Sequence, residues 1–362
     1  MHDTIRANAG NTALNLGAEL SEKHDQDANC AEAVATKLKH VEAGISENSL
    51  PPGFKEYGSR LIGAPTMEKM INEAASITEL NFLKTSVKIL LTSHKDDDTI
   101  QRLQHEFGSK GKNDHYHFQV PFEESSLDNA PPLVLDVGGN IGTAAILFSR
   151  FHPEAQVITF EPNPYTYIYL LWNLHLNGVH ILTSEEMDLS GPAVPGVYPV
   201  LGGLTGGTEY FKKMPMPALP AKSQIFKTVS DSSNSNDTKY VPIYSLSQFL
   251  QKHNLLGRQI ERAKIDCECC EYLVLPANKE VFGNPNTIKH IVGELHPFEK
   301  CKDFFGLSMK VQDDVIDLLG SRGCTLNKVN GFIGVANPNR SKGEDCCPNF
   351  TDVCPLPNKV MA

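Results

Sequence analysis

A glycine-rich turn between an apolar strand and a helix is the stretch of this sequence with the clearest chemical meaning. Residues 133–142 read LVLDVGGNIG, and a second apolar run ends in Glu161, 19 positions after Gly142. Glycines in such a turn let the backbone approach a ligand, and a carboxylate ending the next strand can accept hydrogen bonds from ribose hydroxyls. The spacing therefore predicts a site for a nucleoside.

The charge of Asp136 distinguishes between two cofactors that both contain adenosine. A carboxylate beside the turn would repel the diphosphate of NAD but would attract an amino or sulfonium cation, which favours S-adenosylmethionine. Asn140 either contacts the cofactor or only forms the turn. The residues predicted from this pattern to bind the cofactor are Asp136, Gly138, Gly139, Asn140, Gly142 and Glu161.

These residues need a scaffold of alternating strands and helices, which the sequence shows from Pro131 onward. This alternation predicts a parallel sheet covered by helices on both faces. The predicted strands are 133–137, 157–161, 179–182, 263–267 and 288–294, and the predicted helices are 141–151, 164–177, 245–252 and 308–319. Two further short runs joined by Asn330-Gly331 predict a closing antiparallel hairpin.

The segments around this scaffold are less regular. We expect a mobile arm over residues 1–28, and helical spacing predicts a helical N-terminal extension over 29–120, either a packing annex or a lid over the substrate. The helical spacing occurs in three stretches, at 31–41, 66–75 and 100–107. The domain that binds S-adenosylmethionine would span 131–337, and a cysteine-containing tail would follow at 338–362. Residues 190–239, rich in glycine, proline and small polar residues, predict a long insertion loop.

Composition restricts the class of protein. The chain has 362 residues, 40% hydrophobic and 21% charged, with a net charge of -10, which is typical of a soluble globular protein and argues against a nucleic-acid partner. No apolar run is long enough to span a bilayer and the N-terminus lacks a signal-like core, so we expect a cytoplasmic protein unless the N-terminus is incomplete. Three sequons, at Asn236, Asn339 and Asn349, would instead suit a lumenal location.

Cysteines form two groups, one at Cys267, Cys269 and Cys270 and one in the tail at Cys346, Cys347 and Cys354. Their spacing does not resemble a common zinc site, so no metal is predicted. The chain has nine cysteines, and an odd number cannot all pair within one chain. We therefore expect ordinary thiols, with a disulfide in the tail as the alternative.

The motifs together resemble the FkbM-type methyltransferases, which use S-adenosylmethionine and have the seven-stranded class I fold. The resemblance rests on LDVGGNIG, on the FEPNP run at residues 160–164, on KIDCECCE at 264–271 and on IKHIVGELHP at 288–297. It implies the strand order 3-2-1-4-5-7-6 and methyl transfer, usually to a hydroxyl oxygen. It also implies that Asp136, Gly138 and Gly142 line the methionine side and that Glu161 holds the ribose. The predicted cofactor site further includes Asn163, which can cap the next helix with Pro164 at its first position, and Asp188, in a segment that is only loosely similar to the family.

The fourth-strand motif departs from the family pattern K-I-D-x-E-G-x-E, because Cys269 replaces its glycine. If that glycine has a positive φ, Cys269 strains the turn. On the acceptor side, Asp266 and Glu268 would share one face if the strand continued, and His296 follows the next strand. We predict Asp266, Glu268 and His296 as the catalytic candidates, while pairing with Lys264 or helix capping remains an alternative role for the carboxylates.

The predicted function is therefore O-methylation of a hydroxyl on a small or sugar-like acceptor. The alternatives are a protein that binds S-adenosylmethionine without turning it over, a methyltransferase for a protein or amine acceptor, and an NAD-dependent enzyme. The sequence does not identify the acceptor or the oligomeric state.

Overall fold

Five parallel strands form the centre of the fold. The computed structural model describes residues 53–108, 111, 114–122, 130–187, 194–204, 211–215, 238–326 and 332–334. The parallel strands are β3 (Leu133–Val137), β4 (Gln156–Glu161), β5 (Gly196–Leu201), β9 (Ile260–Ile265) and β10 (Ile288–Glu294). The prediction of an α/β fold with a parallel sheet is confirmed.

Helices cover both faces of this sheet because its strands are apolar on both sides. Every residue of β3 and β4 is buried. Leu133, Leu135 and Val137 belong to one hydrophobic cluster, whereas Val134 belongs to the cluster on the opposite face. Each buried side chain of this size contributes about 1.5–3 kcal/mol to stability. The helices are α4 (Thr143–Phe151), α5 (Pro164–Leu176), α6 (Ser184–Met187), α7 (Leu246–Lys252), α8 (Glu271–Ala277), α9 (Lys279–Phe282), α10 (Phe298–Phe305) and α11 (Met309–Ser321).

Two short antiparallel strands, β11 (Thr325–Leu326) and β12 (Phe332–Gly334), extend one edge of the sheet. The complete order is β11-β12-β10-β9-β3-β4-β5. Counted along the chain within this sheet, that order is the 3-2-1-4-5-7-6 arrangement which the resemblance implies. The turn residues Asn330 and Gly331 lie outside the described residues.

The third strand is not where the sequence pattern indicated. Residues 179–182 contribute only an isolated bridge from Ile181 to Val197, and the strand itself is β5, inside the range predicted to be a loop. Pro199 lies in the middle of β5, which is the last strand at its edge of the sheet. An edge strand tolerates proline because one side of its backbone has no neighbouring strand that needs a hydrogen bond from it. The prediction of a loop was wrong here.

The remainder of the predicted insertion also contains strands. β6 (Gly203–Leu204) and β8 (Thr238–Tyr244) pair in parallel, and β7 (Phe211–Pro215) pairs with β8 in antiparallel orientation. Residues 190–239 therefore include two strands of a small second sheet and the start of its third, as well as the edge strand. Residues 205–210 and 216–237, which include most of the polar run that begins at Ser230, lie outside the described residues.

The N-terminal extension is mixed rather than helical in its described part. Helices α1 (Phe54–Ile62), α2 (Ala64–Asn72) and α3 (Thr99–Glu106) are present, and the pattern predicted α2 and α3 but missed α1. Between α2 and α3, β1 (Thr78–Asn81) and β2 (Lys88–Leu91) form a two-stranded antiparallel sheet, connected by a short 3-10 turn at Phe82–Lys84. The predicted arm at 1–28, the helical stretch at 31–41 and the tail at 338–362 lie outside the described residues.

Two asparagines, Asn173 on α5 and Asn177 at the C-cap of that helix, attach this extension to the domain that contains the parallel sheet. Asn173 accepts a hydrogen bond from the Thr92 amide at 2.8 Å and donates to the carbonyls of Thr92 and Ile141 at 3.0 and 2.8 Å. One turn later, Asn177 bonds both backbone groups of Leu90. The Ile141 carbonyl belongs to the glycine turn, so Asn173 connects the extension directly to the predicted nucleoside site.

None of the described helices combines the length and the apolar character that crossing a bilayer requires.

We predict that Asn173→Ala lowers the free energy of unfolding by about 2–4 kcal/mol, because it leaves buried backbone groups without partners. Urea denaturation followed by circular dichroism measures this change. The exposed Asn286→Ala is the matched control and should alter stability by less than about 0.5 kcal/mol. Equal stability of the two variants would contradict the attachment that we assign to Asn173.

Candidate functional site

The glycine turn between β3 and α4 has a backbone that side chains would not permit. Gly138 and Gly142 have φ values of +89° and +91°. A Cβ on Gly138 would lie 1.9 Å from the carbonyl oxygen of Asp266, at the end of the neighbouring strand. Position 138 therefore requires glycine because the residue after β9 lies so close to it. The sequence pattern had instead attributed the glycine to the approach of a ligand.

Glu161 ends β4, and its carboxylate joins the glycine turn to the segment that follows β4. Its Oε2 accepts a hydrogen bond from the Asn140 amide at 2.9 Å, and its Oε1 accepts one from the Asn163 amide at 2.7 Å. Burial raises the pKa of Glu161 to about 8, although both amide bonds act in the opposite direction. Each carboxylate oxygen has a further lone pair, so the group can still accept hydrogen bonds from a diol.

The two asparagines next to Glu161 act through their backbones. Asn140 has a φ of +48°, which is the left-handed conformation expected of a turn former. The side chain of Asn163 accepts a hydrogen bond from the Tyr165 amide and caps α5, with Pro164 at its first position as predicted. Both residues thus orient the carboxylate of Glu161, and a direct side-chain contact with a cofactor stays a prediction.

Asp136 is fully buried and already has a cationic partner within the protein. Its Oδ1 lies 3.0 Å from Lys264 Nζ, and its Oδ2 accepts a hydrogen bond from Thr159 Oγ1 at 2.7 Å. Burial alone would lower the pKa of Lys264, but the carboxylates of Asp136 and Asp266 outweigh it and raise that pKa. Lys264 also donates to the Gly138 carbonyl at 2.8 Å, so Asp136 supports the turn through this lysine.

Of the other residues predicted to bind the cofactor, Gly139 lies within the same turn, between Gly138 and Asn140. Asp188 lies outside the described residues.

The acceptor-side residues follow β9, which ends at Ile265, two residues before its predicted end. Asp266 Oδ2 accepts a hydrogen bond from Tyr116 Oη at 2.6 Å. Burial, together with the charge of Asp266, raises the pKa of Tyr116 well above its ordinary value, so the phenol remains a donor. Glu268 and Cys269 have φ values of +53° and +80°, which shows that the chain turns here. The strand therefore does not continue, so the condition under which Asp266 and Glu268 would share one strand face is not met.

Glu268 and His296 belong to an ion-paired group beside Asp266. His296 Nδ1 lies 3.0 Å from Glu271 Oε1, and its Nε2 lies 3.4 Å from Glu268 Oε2, which Lys300 Nζ also contacts at 3.0 Å. Burial opposes the charge of His296, but its two carboxylate partners raise its pKa to about 11. Burial likewise opposes the charge of Glu268, but His296 and Lys300 lower its pKa to about 2. The imidazole is thus a cation between two carboxylates and cannot take up a proton at neutral pH.

Asp266, Glu271 and His296 each bring one atom of a metal-ligand type within 4.8 Å of the others. Both ring nitrogens of His296 face carboxylates, which is the arrangement of a protonated imidazole. Metal ligation requires an imidazole nitrogen without a proton. We therefore interpret the group as an ion-pair network.

The cysteines after β9 are paired, which corrects the expectation of ordinary thiols. Cys267 forms a disulfide with Cys270, and Cys269 forms one with Cys301 on α10. The second bond explains how a cysteine occupies the left-handed position where the family pattern has glycine, because Cys269 and Cys301 are both fully buried and covalently joined. The tail cysteines lie outside the described residues.

The sequence reasoning missed three residues at this site. Glu294 ends β10, and the same strand-end rule that selected Glu161 would have found it. Tyr116 and Arg262 carry no local signal, because their roles depend on contacts between distant segments. The guanidinium of Arg262 donates to the carbonyls of His117 and Val120 and so holds the segment with Tyr116 against β9.

We predict that opening the Cys269–Cys301 bond by a double serine substitution costs about 3–4 kcal/mol of unfolding free energy, and that opening the Cys267–Cys270 bond costs about 2 kcal/mol. The difference follows from loop length, since the two bonds close separations of 32 and 3 residues. Guanidinium denaturation of both double variants without reductant measures it. The reverse ranking, or a full count of thiols in the unfolded wild-type chain, would refute the pairing.

We also predict that His296→Gln loses the most stability near pH 6 and progressively less toward pH 11. A raised folded-state pKa contributes its full stabilisation below the unfolded value of about 6.5, and this contribution disappears as pH rises through about 11. Urea denaturation at several pH values gives the difference from wild type. The exposed His105→Gln is the control, and a pH-independent difference for His296→Gln would contradict the ion-paired imidazolium.

Comparison with known proteins identifies the family to which this chain belongs. The sequence model described as "Methyltransferase FkbM domain" matches residues 136–324, just over half of the chain. The match begins at Asp136 and ends at Cys324, so it contains the glycine turn, Glu161 and all of the acceptor-side residues from Asp266 to His296.

Two curated relatives agree with this match. Methyltransferase sdnD of Sordaria araneosa is 30% identical over 156 residues, which cover 40% of this chain and 59% of the relative. Methyltransferase 1 of Beauveria bassiana is 24% identical over 156 residues, which cover 41% and 59%. The chain thus spans about three fifths of the length of these relatives, and no solved structure matches it. The family match over more than half of its residues shows that the chain belongs to the FkbM methyltransferases.

Proposed function

We propose that this protein transfers a methyl group from S-adenosylmethionine to a hydroxyl oxygen of a small or sugar-like molecule. Family membership supports methyl transfer. Glu161 is the observation that carries the nucleoside part of this donor, because it is a buried carboxylate at the carboxyl edge of β4 that the backbone amides of Asn140 and Asn163 hold in place. In open α/β sheets, ligands bind at this edge, where the strand order reverses.

The residues at this edge fit the adenosyl part of the donor. Glu161 would hold the ribose hydroxyls, and the Gly138 to Gly142 turn would lie beside the sugar and the methionine portion. Asp136 would act indirectly, by neutralising the buried Lys264 that holds the Gly138 carbonyl. When bound, S-adenosylmethionine supplies an electrophilic methyl group on a sulfonium sulfur.

The acceptor edge, at the ends of β9 and β10, favours a hydroxyl over a carboxylate acceptor. Asp266 and Glu294 present carboxylate oxygens, which accept hydrogen bonds from hydroxyl groups. The nearby lysines are paired with acids of the chain, Lys264 with Asp136 and Lys300 with Glu268. An anionic acceptor would therefore meet like charge, whereas a polyol would find hydrogen-bond acceptors.

We further propose that residues 131–337 form a class I methyltransferase domain and that the N-terminal extension takes part in the acceptor site. Tyr116 from the extension reaches Asp266 directly, which favours a role at the substrate mouth over a packing role alone. The names of the two relatives specify only methyl transfer, so experiment has to identify the acceptor.

We predict that S-adenosylhomocysteine binds more tightly as pH rises from 6 to 9 and that Glu161→Gln removes much of this dependence. Ribose hydroxyls favour the ionised carboxylate, whose pKa without ligand is about 8, so binding releases a proton. At pH 9 the substitution should weaken binding by about tenfold or more, since it removes a charge-assisted hydrogen bond. Isothermal titration calorimetry measures both effects, with the exposed Glu154→Gln as control.

The proposed reaction is tested with S-adenosylmethionine carrying a labelled methyl group and a panel of sugars, aliphatic alcohols, phenols, amines and carboxylic acids. Label on a hydroxyl acceptor supports the proposal, and label confined to amines or acids overturns the choice of acceptor. Donor binding without transfer to any member of the panel would favour a silent binding protein. Binding of NAD without binding of S-adenosylhomocysteine would overturn the choice of donor.

A further inference from the structure

Glu294 lies at the acceptor edge, at the end of β10 and next to Asp266. It is the last residue of β10, and Gly293 pairs with Ile265 in the parallel ladder between β10 and β9. Glu294, which still pairs with Phe332 of β12, and Asp266, the first residue after β9, therefore lie side by side at the carboxyl edge of the sheet. Their charges interact, since Asp266 raises the pKa of Glu294.

The other acids around this point already have protein partners. Asp266 accepts from Tyr116, and Glu271 accepts from Cys267 N and contacts His296. Glu268 pairs with His296 and Lys300, and on α3 of the extension Glu106 lies 2.7 Å from His115.

Glu294 is half-buried, and within the described part of the chain no hydrogen bond or ion pair joins its carboxylate to another residue.

The charges facing Glu294 adjust its basicity. Burial comes first and Asp266 second in raising its pKa to about 7, with Glu106 and Glu268 adding to the rise and His296 opposing it. These groups come from α3, from the turn after β9 and from the segment after β10. A base whose pKa lies near the working pH accepts protons most effectively in catalysis.

The three candidates from the sequence are poorer proton acceptors. His296 is already protonated, and Glu268 is a weak base that is tied to Lys300. Asp266 has one oxygen occupied by Tyr116. Glu294 alone of these four combines a position at the carboxyl edge with an unoccupied carboxylate in the described structure.

We propose that Glu294 is the catalytic base that takes the proton of the acceptor hydroxyl, with Asp266 as a neighbouring charge that acts through it. This proposal rests on the function proposed above. As the acceptor O–H bond breaks, its proton moves to a carboxylate oxygen of Glu294. The acceptor oxygen forms the new bond to the methyl carbon, and the electrons of the broken sulfur–methyl bond remain on sulfur as the sulfonium becomes a thioether.

The first test reads the ionisation of Glu294 without any turnover. Carbon-13 NMR titration of the full chain labelled at the glutamate carboxyl carbons should show a resonance that titrates near pH 7 and is missing in Glu294→Gln. In Asp266→Asn that titration should move to lower pH, because a neighbouring negative charge is gone. If Glu294 titrates near pH 4.5 in the wild type, the proposal is overturned.

The second test uses the acceptor found in the panel. The rate of methyl transfer at saturating donor should rise with pH through about 7 in the wild type, and Glu294→Gln should lower it by about 100-fold or more while S-adenosylhomocysteine binds unchanged. Asp266→Asn should shift the acidic limb of the profile to lower pH, which a merely structural role would not do. The exposed Glu280→Gln serves as control.

The two proposals fail in different ways. A wild-type chain that binds the donor but methylates nothing in the panel refutes the proposed function. A wild-type chain that methylates a hydroxyl, together with a Glu294→Gln variant of equal rate and equal pH profile, leaves that function intact and overturns the role of Glu294.

Discussion

The ion pair between Asp136 and Lys264 is the interaction on which the site depends. The two residues are register partners on β3 and β9, and both side chains are buried in the centre of the sheet. Removing either partner would leave an uncompensated buried charge, which typically costs about 3–5 kcal/mol. The same ammonium group holds the Gly138 carbonyl and lies 5.5 Å from the centre of the Tyr116 ring. The glycine turn, the central strands and the N-terminal extension therefore meet at one cation.

The fold was predictable where an apolar pattern and the residues at its ends indicate the same element, as in β3, β4 and the helix capped by Asn163. The prediction failed at β5, because glycines and Pro199 give an edge strand the composition of a loop. It also missed β1 and β2, since a short two-stranded sheet leaves little periodic signal. In each case the deciding information is which strand lies next to which, and local composition does not contain it.

The residues of the candidate site were likewise predictable only in part. Glu161 followed from its place at the end of a strand, and Glu294 could have followed from the same rule. Tyr116 and Arg262 could not, because Tyr116 meets Asp266 across 150 positions of sequence and Arg262 reaches backbone carbonyls about as distant. Four cysteines allow three pairings, and nothing local to Cys267, Cys269 and Cys270 selects among them or brings in Cys301.

The two disulfides have a consequence for where this chemistry takes place. Disulfides form and persist in oxidising compartments and are rare in the cytosol. If both bonds form during biosynthesis, the polypeptide has to mature outside the reducing cytosol, and the three sequons in its sequence agree with such a route. Its methyl donor would then have to be delivered to that same compartment, so cofactor transport would become part of the supply on which the reaction depends.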